Sequence, residues 1–437
     1  MTHRASLPQI LRTFLFGTLC LGALWAVVQF CCIHVFGLNT FPYNSMIFAS
    51  KYNFADYTMF NPRFEHFHTR AFFNPELGSP FLYPAPDAVL YAVVHRITDP
   101  LDSPWAGLVI IVTSLFFGLT ALLGWGLHRH GVSTGAAALF SALCLLSSYP
   151  AYFEVNRANV EFFVWVMAGC GVWAFLRDKP WLAAALIGLA GSCKLYPYIL
   201  LGLLLLRKEY RQTAFGILVG AACTVASLWA ITGDIGFTAR KVAEGLKLFQ
   251  NDYVLTRRAL EIGLDHSLFG LFKRSLRQMP PLPVAAHYLT VYLVVVALGG
   301  TLLFFLKLRK MPVSNQITFL TVATILLPPV SYDYTLLQLY TPWAVLVFLA
   351  VHNWRAGIPA TQGLKHAFYC FAILLSPQNE FIFHAEKLEG QSKCLALLAL
   401  ALVSLLEPFE QIEPTLSTQD RYAHESLSET LLGPALP

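Results

Sequence analysis

Between residues 13 and 406 the chain carries about ten apolar stretches that are nearly free of charge and are separated by short basic clusters, which makes the bilayer its solvent. Residues 13–38, 104–127 and 212–233 are each long enough to cross a hydrocarbon core of roughly 30 Å, because an α-helix rises about 1.5 Å per residue. A soluble fold has no interior that hides so many. Only 13% of the residues are charged, against roughly 25% in an ordinary soluble domain. The expected fold class is therefore an all-α polytopic membrane protein.

The formal net charge of +5 sits mainly in short loops, where the bias of Lys and Arg toward the cytoplasmic side accounts for it. It gives no argument for nucleic acid as a partner. The nine cysteines lie in or beside apolar segments without zinc-ligand spacing, so neither disulfides nor a metal site is expected, and no cofactor is implied. The first apolar segment follows His3, Arg4 and Arg12 and has no small-residue cleavage pattern after it. It reads as a retained signal anchor with a cytoplasmic N-terminus.

Placing the basic clusters at 128–130, 177–179, 207–211 and 307–310 in the cytoplasm yields a topology. Residues 37–103 become a large first external loop, with 81–97 as an interfacial helix on the outer face; the alternative, a true span there, would invert the topology downstream. Residues 150–161 form a second external loop, and 233–285 a long third one. Residues 181–206 are flanked by basic clusters at both ends, so they read as a helical hairpin with Lys194, Leu195, Tyr196 and Pro197 at its tip. Residues 317–351 repeat the design around Pro328, Pro329, Val330, Ser331, Tyr332 and Asp333. The count is about twelve crossings over residues 1–406, followed by a polar cytoplasmic tail, 407–437, expected to be disordered.

Ionisable residues in or near apolar segments are costly and are functional candidates for that reason. Here they are Asp56, Arg70, Glu154, Arg157, Lys194 and Asp333. Asp56 is a candidate general base, or a carboxylate that merely caps a loop helix. Asp87, in the same loop, is the ordinary carboxylate against which Asp56 can be compared. Arg157 either contacts a phosphate or carboxylate or pairs with Glu161 one turn on. Asn156 and Asn159 are candidate contacts or simple helix caps. Lys194 stands about 13 residues into an apolar run and needs an anion, a cavity or the interface. Arg257, Arg258, Lys273, Arg274 and Arg277 form either a basic surface or a solvated face.

Six motifs recur in a fixed order: Asp-Tyr at 56–57, Phe-Leu-Tyr-Pro-Ala-Pro at 81–86, Asn-Arg-Ala-Asn-Val-Glu at 156–161, Gly-Ser-Cys-Lys-Leu-Tyr-Pro at 191–197, Asp-His-Ser-Leu-Phe-Gly-Leu-Phe-Lys-Arg at 265–274, and Pro-Pro-Val-Ser-Tyr-Asp-Tyr at 328–334. Together they resemble glycosyltransferase family 87, of the GT-C superfamily of integral membrane glycosyltransferases. The resemblance implies a GT-C-like bundle, a sugar donor carried on polyprenyl phosphate, and a glycan or glycolipid hydroxyl as acceptor. It also implies a site facing outward from a bacterial cytoplasmic membrane, and a first-loop aspartate acting as base without a metal. It maps the base to Asp56 and suggests phosphate or sugar contacts for Arg157, Lys194 and Arg274. Arg70, Tyr83, Asn156, Asn159, Tyr196, His266 and Asp333 complete the candidate substrate-binding set. Two motifs depart from the family pattern. Asp265-His266-Ser267-Leu268 stands where Asn-Gln-Ser-Leu is usual, and Tyr83-Pro84-Ala85-Pro86 stands for Tyr-Pro-Pro.

Two readings compete with a transferase. A transporter or lipid flippase also builds its site from broken helices with charges at mid-depth. A catalytically inactive scaffold would keep the same fold and bind lipid or protein.

Overall fold

The computed structural model describes residues 6–37, 54–98, 104–257, 259–276, 278–377, 382–383, 386–387 and 389–411. Helix α1 (Gln9–Phe30) opens the bundle. The next described segment, 54–98, contains α2 (Ala55–Thr58), α3 (Asn61–Phe64) and α4 (Ala85–Thr98). Its core is aromatic: Tyr57, Phe60, Phe64, Phe72, Phe81 and Tyr91 are buried, with rings such as Phe60 and Phe81 at 5.3 Å in edge contact. At its centre Arg63 is 1% exposed. Its guanidinium donates to the carbonyls of Phe72 at 2.7 Å, Asn74 at 3.2 Å, Gly78 at 3.0 Å and Ser79 at 2.7 Å. Those carbonyls belong to irregular chain with no ladder to satisfy them, and the five donors of one arginine supply what a helix or sheet would have supplied. Helix α4, expected at the outer interface, packs into the bundle. Ala85, Ala88, Tyr91, Ala92 and Val94 are buried against the bundle, packed on both the preceding and following helices.

Helices α5 (Pro104–Arg129), α6 (Thr134–Leu146), α7 (Tyr149–Arg157) and α8 (Glu161–Leu176) follow. Next comes α9 (Pro180–Cys193), from which a 3-10 segment, Tyr196–Leu201, leads into α10 (Gly202–Leu206) and then α11 (Tyr210–Thr232). The packing of glycines shows how this region turns. A Cβ on Gly216 would lie 2.7 Å from the Ala184 carbonyl, and one on Gly220 2.7 Å from the Gly188 carbonyl, so α9 and α11 run side by side in the same direction. The chain between them must therefore return. It does so with Tyr198 against Gly191 and Leu201 against Gly216, which makes 180–206 a hairpin with Lys194 at its turn. Small residues at this seam let backbones meet, the usual basis of helix association where lipid removes the hydrophobic drive.

Helix α12 (Ile235–Phe249) is N-capped by Asp234 and lies on segment 54–98, where a side chain on Gly245 would collide with the Phe81 carbonyl. Helices α13 (Ala259–Leu264) and α14 (Leu268–Ser275) lead to α15 (Leu282–Leu306). A second hairpin comprises α16 (Val313–Leu326), a 3-10 segment Asp333–Leu339 and α17 (Tyr340–Arg355). After α18 (Gln362–Leu374), two-residue strands β1 (Ile382–Phe383) and β2 (Glu386–Lys387) pair antiparallel before α19 (Glu389–Leu406). Residues 407–411 continue in folded form: Phe409 is buried, its N–H donates to Asn315 at 3.0 Å, and Ser314 donates to Glu410 at 2.6 Å. The rest of the expected tail, 412–437, lies outside the described residues, as do 38–53 and 99–103 of the expected first loop.

Among the described residues, five helices are long and apolar enough to cross a membrane, or six if the α6–α7 pair, bent by 55°, is one span. The twelve crossings expected from the sequence are not all of this kind. Five further apolar helices have only 10–17 residues, because Pro, Gly and charged residues interrupt the apolar runs. Four of the five long helices leave most of their apolar side chains outward. Only 6% of the most apolar window of α15 is buried, against 78% for 333–355, so hydrocarbon is the solvent that α15 fits.

The α9–α11 seam yields a prediction. Gly188→Leu drives a side chain into the Gly216 carbonyl, whereas Gly118→Leu on α5 enters open space. Overpacking of this kind costs about 1–3 kcal/mol. The thermal unfolding midpoint in detergent is expected to drop for Gly188→Leu and to hold for Gly118→Leu.

Candidate functional site

Asp56 sits in the first turn of α2 and is 5% exposed. Its carboxylate accepts a hydrogen bond from Arg157 on one oxygen and from Asn159 Nδ2 at 2.8 Å on the other. The two donors are separated by Ala158, which ends α7 in the left-handed region at φ 53°. A non-glycine residue there costs energy and persists only where its surroundings hold it. The sharp turn points Arg157 and Asn159 at the same carboxylate. Asn159 also uses its Oδ1 to accept the Glu161 N–H at 3.0 Å, capping α8. Cap and site contact are thus made by one side chain. Arg157 does not pair with Glu161; Glu161 instead accepts from Tyr196, and from Gln338 Nε2 at 2.7 Å.

Tyr83 links this junction to the hairpin tip. Its hydroxyl accepts from Asn159 Nδ2 at 3.3 Å, and the Lys194 ammonium lies 4.6 Å from its ring centre. Burial first, then the Asp56 charge, push the Tyr83 phenol well above its ordinary range, which keeps it protonated and a hydrogen-bond donor. On its other side Lys194 lies 5.8 Å from the ring of Tyr334, part of the second hairpin's turn. Among the described residues Lys194 forms no ion pair. Two hairpin turns separated by about 140 positions in sequence therefore meet over one ammonium. Its charge acts on three fully buried carboxyl groups, Asp87, Glu154 and Glu161. Neither oxygen of Glu154 or of Asp87 makes a hydrogen bond of ordinary geometry. Asp87 is no solvated loop residue. Burial pushes its carboxyl up to about 7, opposed by the Lys194 charge and by the Cys193 thiol against it.

A second polar network lies under the turn of the second hairpin. Asp333 accepts from Lys393 Nζ at 2.7 Å and from the Tyr149 hydroxyl at 2.8 Å, with every partner buried. His266 faces the hydroxyls of Ser331 and Thr335, each at 3.0 Å from Nε2, and its Nδ1 lies 3.6 Å from Asp333. Asp265 accepts the N–H of Ser267 at 3.0 Å and that of Ser331 at 3.1 Å, and its other oxygen meets Lys273 at 3.2 Å. Ser267 caps α14 through the Gly270 N–H at 2.8 Å. The motif at 265–268 thus clamps the one at 328–334.

Of the residues singled out from sequence, Asp56, Tyr83, Arg157, Asn159, Lys194 and Tyr196 come together. His266 and Asp333 belong to the clamp. Arg70 is exposed and bonded to Asp234 at 2.7 Å, tying segment 54–98 to the start of α12. Arg274 is half-exposed in the last turn of α14, and Lys273 beside it carries the buried contact. The Asn156 side chain, Arg258 and Arg277 lie outside the described residues. Sequence reasoning missed Glu161 as a junction acid, did not single out Tyr334 within the motif at 328–334, and missed Gln338 and Lys393 altogether. Lys393 carried a legible signal, a lone cation beside an apolar run facing a buried Asp333. Among the described residues no three His, Cys, Asp or Glu side chains stand close enough to hold a metal ion.

A model of glycosyltransferase family 87 matches residues 81–329. That is more than half of a 437-residue chain. The chain belongs to glycosyltransferase family 87. It is thus a membrane glycosyltransferase, and the transporter reading is set aside. No curated protein and no solved structure gives a match. The family span contains Tyr83, Asp87, Glu154, Arg157, Asn159, Glu161, Lys194 and Tyr196, and it begins after Asp56 and ends before Asp333 and Tyr334.

The clamp supports a stability test. Removing one partner of a buried ion pair leaves the other uncompensated, at a cost of about 3–5 kcal/mol, whereas removing both is far milder. Lys393→Met is expected to lower the thermal midpoint sharply, and Lys393→Met with Asp333→Asn to recover much of the loss, as read by a double-variant unfolding cycle.

Proposed function

We propose that this family 87 enzyme moves a sugar, a hexose such as mannose or a pentose, from a polyprenyl-phosphate donor to a hydroxyl of a lipid-linked or surface glycan. The observation that carries this reading is the pairing of an oriented carboxylate with an unpaired ammonium across one tyrosine: Asp56 held by Arg157 and Asn159, and Lys194 between the rings of Tyr83 and Tyr334. In the reaction the acceptor hydroxyl gives its proton to Asp56 and its oxygen attacks the anomeric carbon. The bond from that carbon to the phosphate oxygen breaks, and the polyprenyl phosphate departs with the electron pair. Charge grows on the departing phosphate, where Lys194 and the Tyr83 hydroxyl offer fixed donors. Arg157 and Asn159 orient the base, and Tyr196 holds Glu161 at the edge of the site.

The same reading places the site on the outer side of a bacterial cytoplasmic membrane. Segments 54–98 and 233–276 cover it, and the short hairpin limbs count as crossings in a GT-C-like total of about twelve. A turn of irregular backbone at membrane depth is tolerated where it lines a protein cavity, which suits both hairpin tips. The donor's phosphate and the acceptor's glycan are the partners this arrangement accommodates, together with the surrounding lipid.

Two substitutions test it. Asp56→Asn keeps the shape and an acceptor oxygen but takes no proton, so transfer from a polyprenyl-phosphate sugar should slow by about 10²- to 10⁴-fold while donor binding survives. The comparison is Glu76→Gln, an exposed carboxylate of the same segment; equal behaviour of the two variants would remove Asp56 as the base. Lys194→Met retains the apolar stem and should weaken donor binding with the fold intact, measured by titration with the donor lipid. Unchanged affinity would return Lys194 to a cation that merely reaches for the interface.

A further inference from the structure

The charges around Lys194 do not balance. Asp56 is matched by Arg157. That leaves one ammonium facing Asp87, Glu154 and Glu161, all with no exposed surface. Were all three ionised, the pocket would hold a net charge of about −2, a state that a buried, low-dielectric cluster does not sustain. An anionic phosphate brought to Lys194 adds a further negative charge to the same space. The site can accept it only if a carboxyl group gives up its own charge.

The geometry singles out which group responds. Glu161 is committed to two donors, Tyr196 and Gln338. Asp87 and Glu154 are not, since no oxygen of either has an ordinary hydrogen-bond partner. Glu161 and Asp56 act on Glu154 ahead of Lys194, whereas Lys194 is the foremost charge acting on Asp87, which stands in the first turn of α4 against Cys193, the residue before Lys194. The groups that face Asp87 are Lys194 and Cys193 at the end of α9, Glu161 at the start of α8, Tyr196 in the 3-10 segment and Tyr91 on its own helix. Cys223 of α11 stands behind Cys193. Helix α3 offers Arg63, which is occupied by backbone carbonyls, and α5 carries no ionisable side chain before His128.

We infer that Asp87 is the proton-accepting partner of Lys194: an anionic phosphodiester that settles on Lys194 draws one proton from solvent onto Asp87, so phosphate and proton enter the site together. Asp87 acts on the ligand through Lys194 and is a positioning residue. In the empty site it is the movable counter-charge of the ammonium. With ligand bound that place is taken by the phosphate, and Asp87 becomes neutral. Its titration near neutrality fits this exchange. The sign follows directly. Binding favours the protonated acid, so affinity is highest on the acid side, falls as pH rises through the titration of the free site, and changes by about tenfold between pH 6 and 8 for one linked proton.

The inference rests on the phosphate reading of Lys194, and the experiment separates the two. The probe is farnesyl methyl phosphate, a prenyl phosphodiester whose single charge is constant between pH 6 and 8, titrated into the full chain in nanodiscs. Calorimetry in two buffers of different ionisation enthalpy should report uptake of about half a proton per probe bound at pH 7, rising toward one at pH 8, and a roughly tenfold weaker Kd at pH 8 than at pH 6. Asp87→Asn should bind with a pH-independent Kd and no proton uptake. This measurement needs no variant to succeed, because proton uptake is read on the native chain. Binding without uptake, or an Asp87→Asn protein that keeps the native slope, overturns the role of Asp87 and leaves the phosphate reading standing. No binding at any pH overturns both.

Discussion

Charged groups held in an apolar bundle must find each other, and the junction of Asp56 with Arg157 and Asn159 is where this chain satisfies that demand for its first segment. An isolated carboxylate buried there would be expensive. The arginine that offsets it is the last residue of α7, the asparagine caps α8, and the left-handed Ala158 between them orients both. The carboxylate therefore anchors segment 54–98 to the bundle at the point where α7 gives way to α8. Tyr83, reached by the same Asn159, carries the connection on to Lys194. Loss of the left-handed turn would separate Asp56, Asn159 and Tyr83 at once.

Which residues meet was partly legible in the sequence. The apolar periodicity and the basic flanks at 177–179 and 207–211 forced a return within 181–206, and α9 and α11 do run in parallel with that return between them. Lys194 was visible because a cation so deep in an apolar run is rarely without a task. The pairing of the two hairpin turns was not visible. Nothing local in 328–334 says that Tyr334 will lie over Lys194, or that Gln338 will reach Glu161 across 177 positions. A single chain carries no signal for such long-range partners beyond charge and burial. Arg63 and Asp87 illustrate the same limit from the other direction, since both look like ordinary loop charges until the aromatic core closes over them.

Long apolar helices account for only part of the expected crossings, for a related reason. Hydropathy reports length and apolarity, and it was right for α1, α5, α11 and α15, which expose apolar side chains along most of their length. It was less informative for α8, α9, α16 and α19, which are shorter and largely enclosed by protein, with Val164, Ile187, Ile317 and Leu397 fully buried. Helices wrapped in other helices need not match the hydrocarbon thickness, because their ends are covered by protein rather than by lipid headgroups. Short, enclosed helices broken by proline are also what allow two turns to stand at the same depth inside the bundle.

The departure from the family pattern at Asp265-His266-Ser267-Leu268 can now be given a physical meaning. Each of the three polar residues serves the turn of the second hairpin. Asp265 accepts from Ser331 N–H, the His266 N–H donates to the Ser331 carbonyl at 2.9 Å, and the Ser267 hydroxyl donates to the Pro329 carbonyl at 3.3 Å. A change in this motif alters how firmly the turn is held, and with it the placement of Tyr334, rather than a group that meets the ligand directly. An Asn at 265 would offer an oxygen to the same N–H groups, and a Gln at 266 an amide to the hydroxyls of Ser331 and Thr335, but neither would bring a carboxylate to Lys273. Asp265 and the buried Lys273 form one unit: the cation requires the anion, because neither can be buried alone.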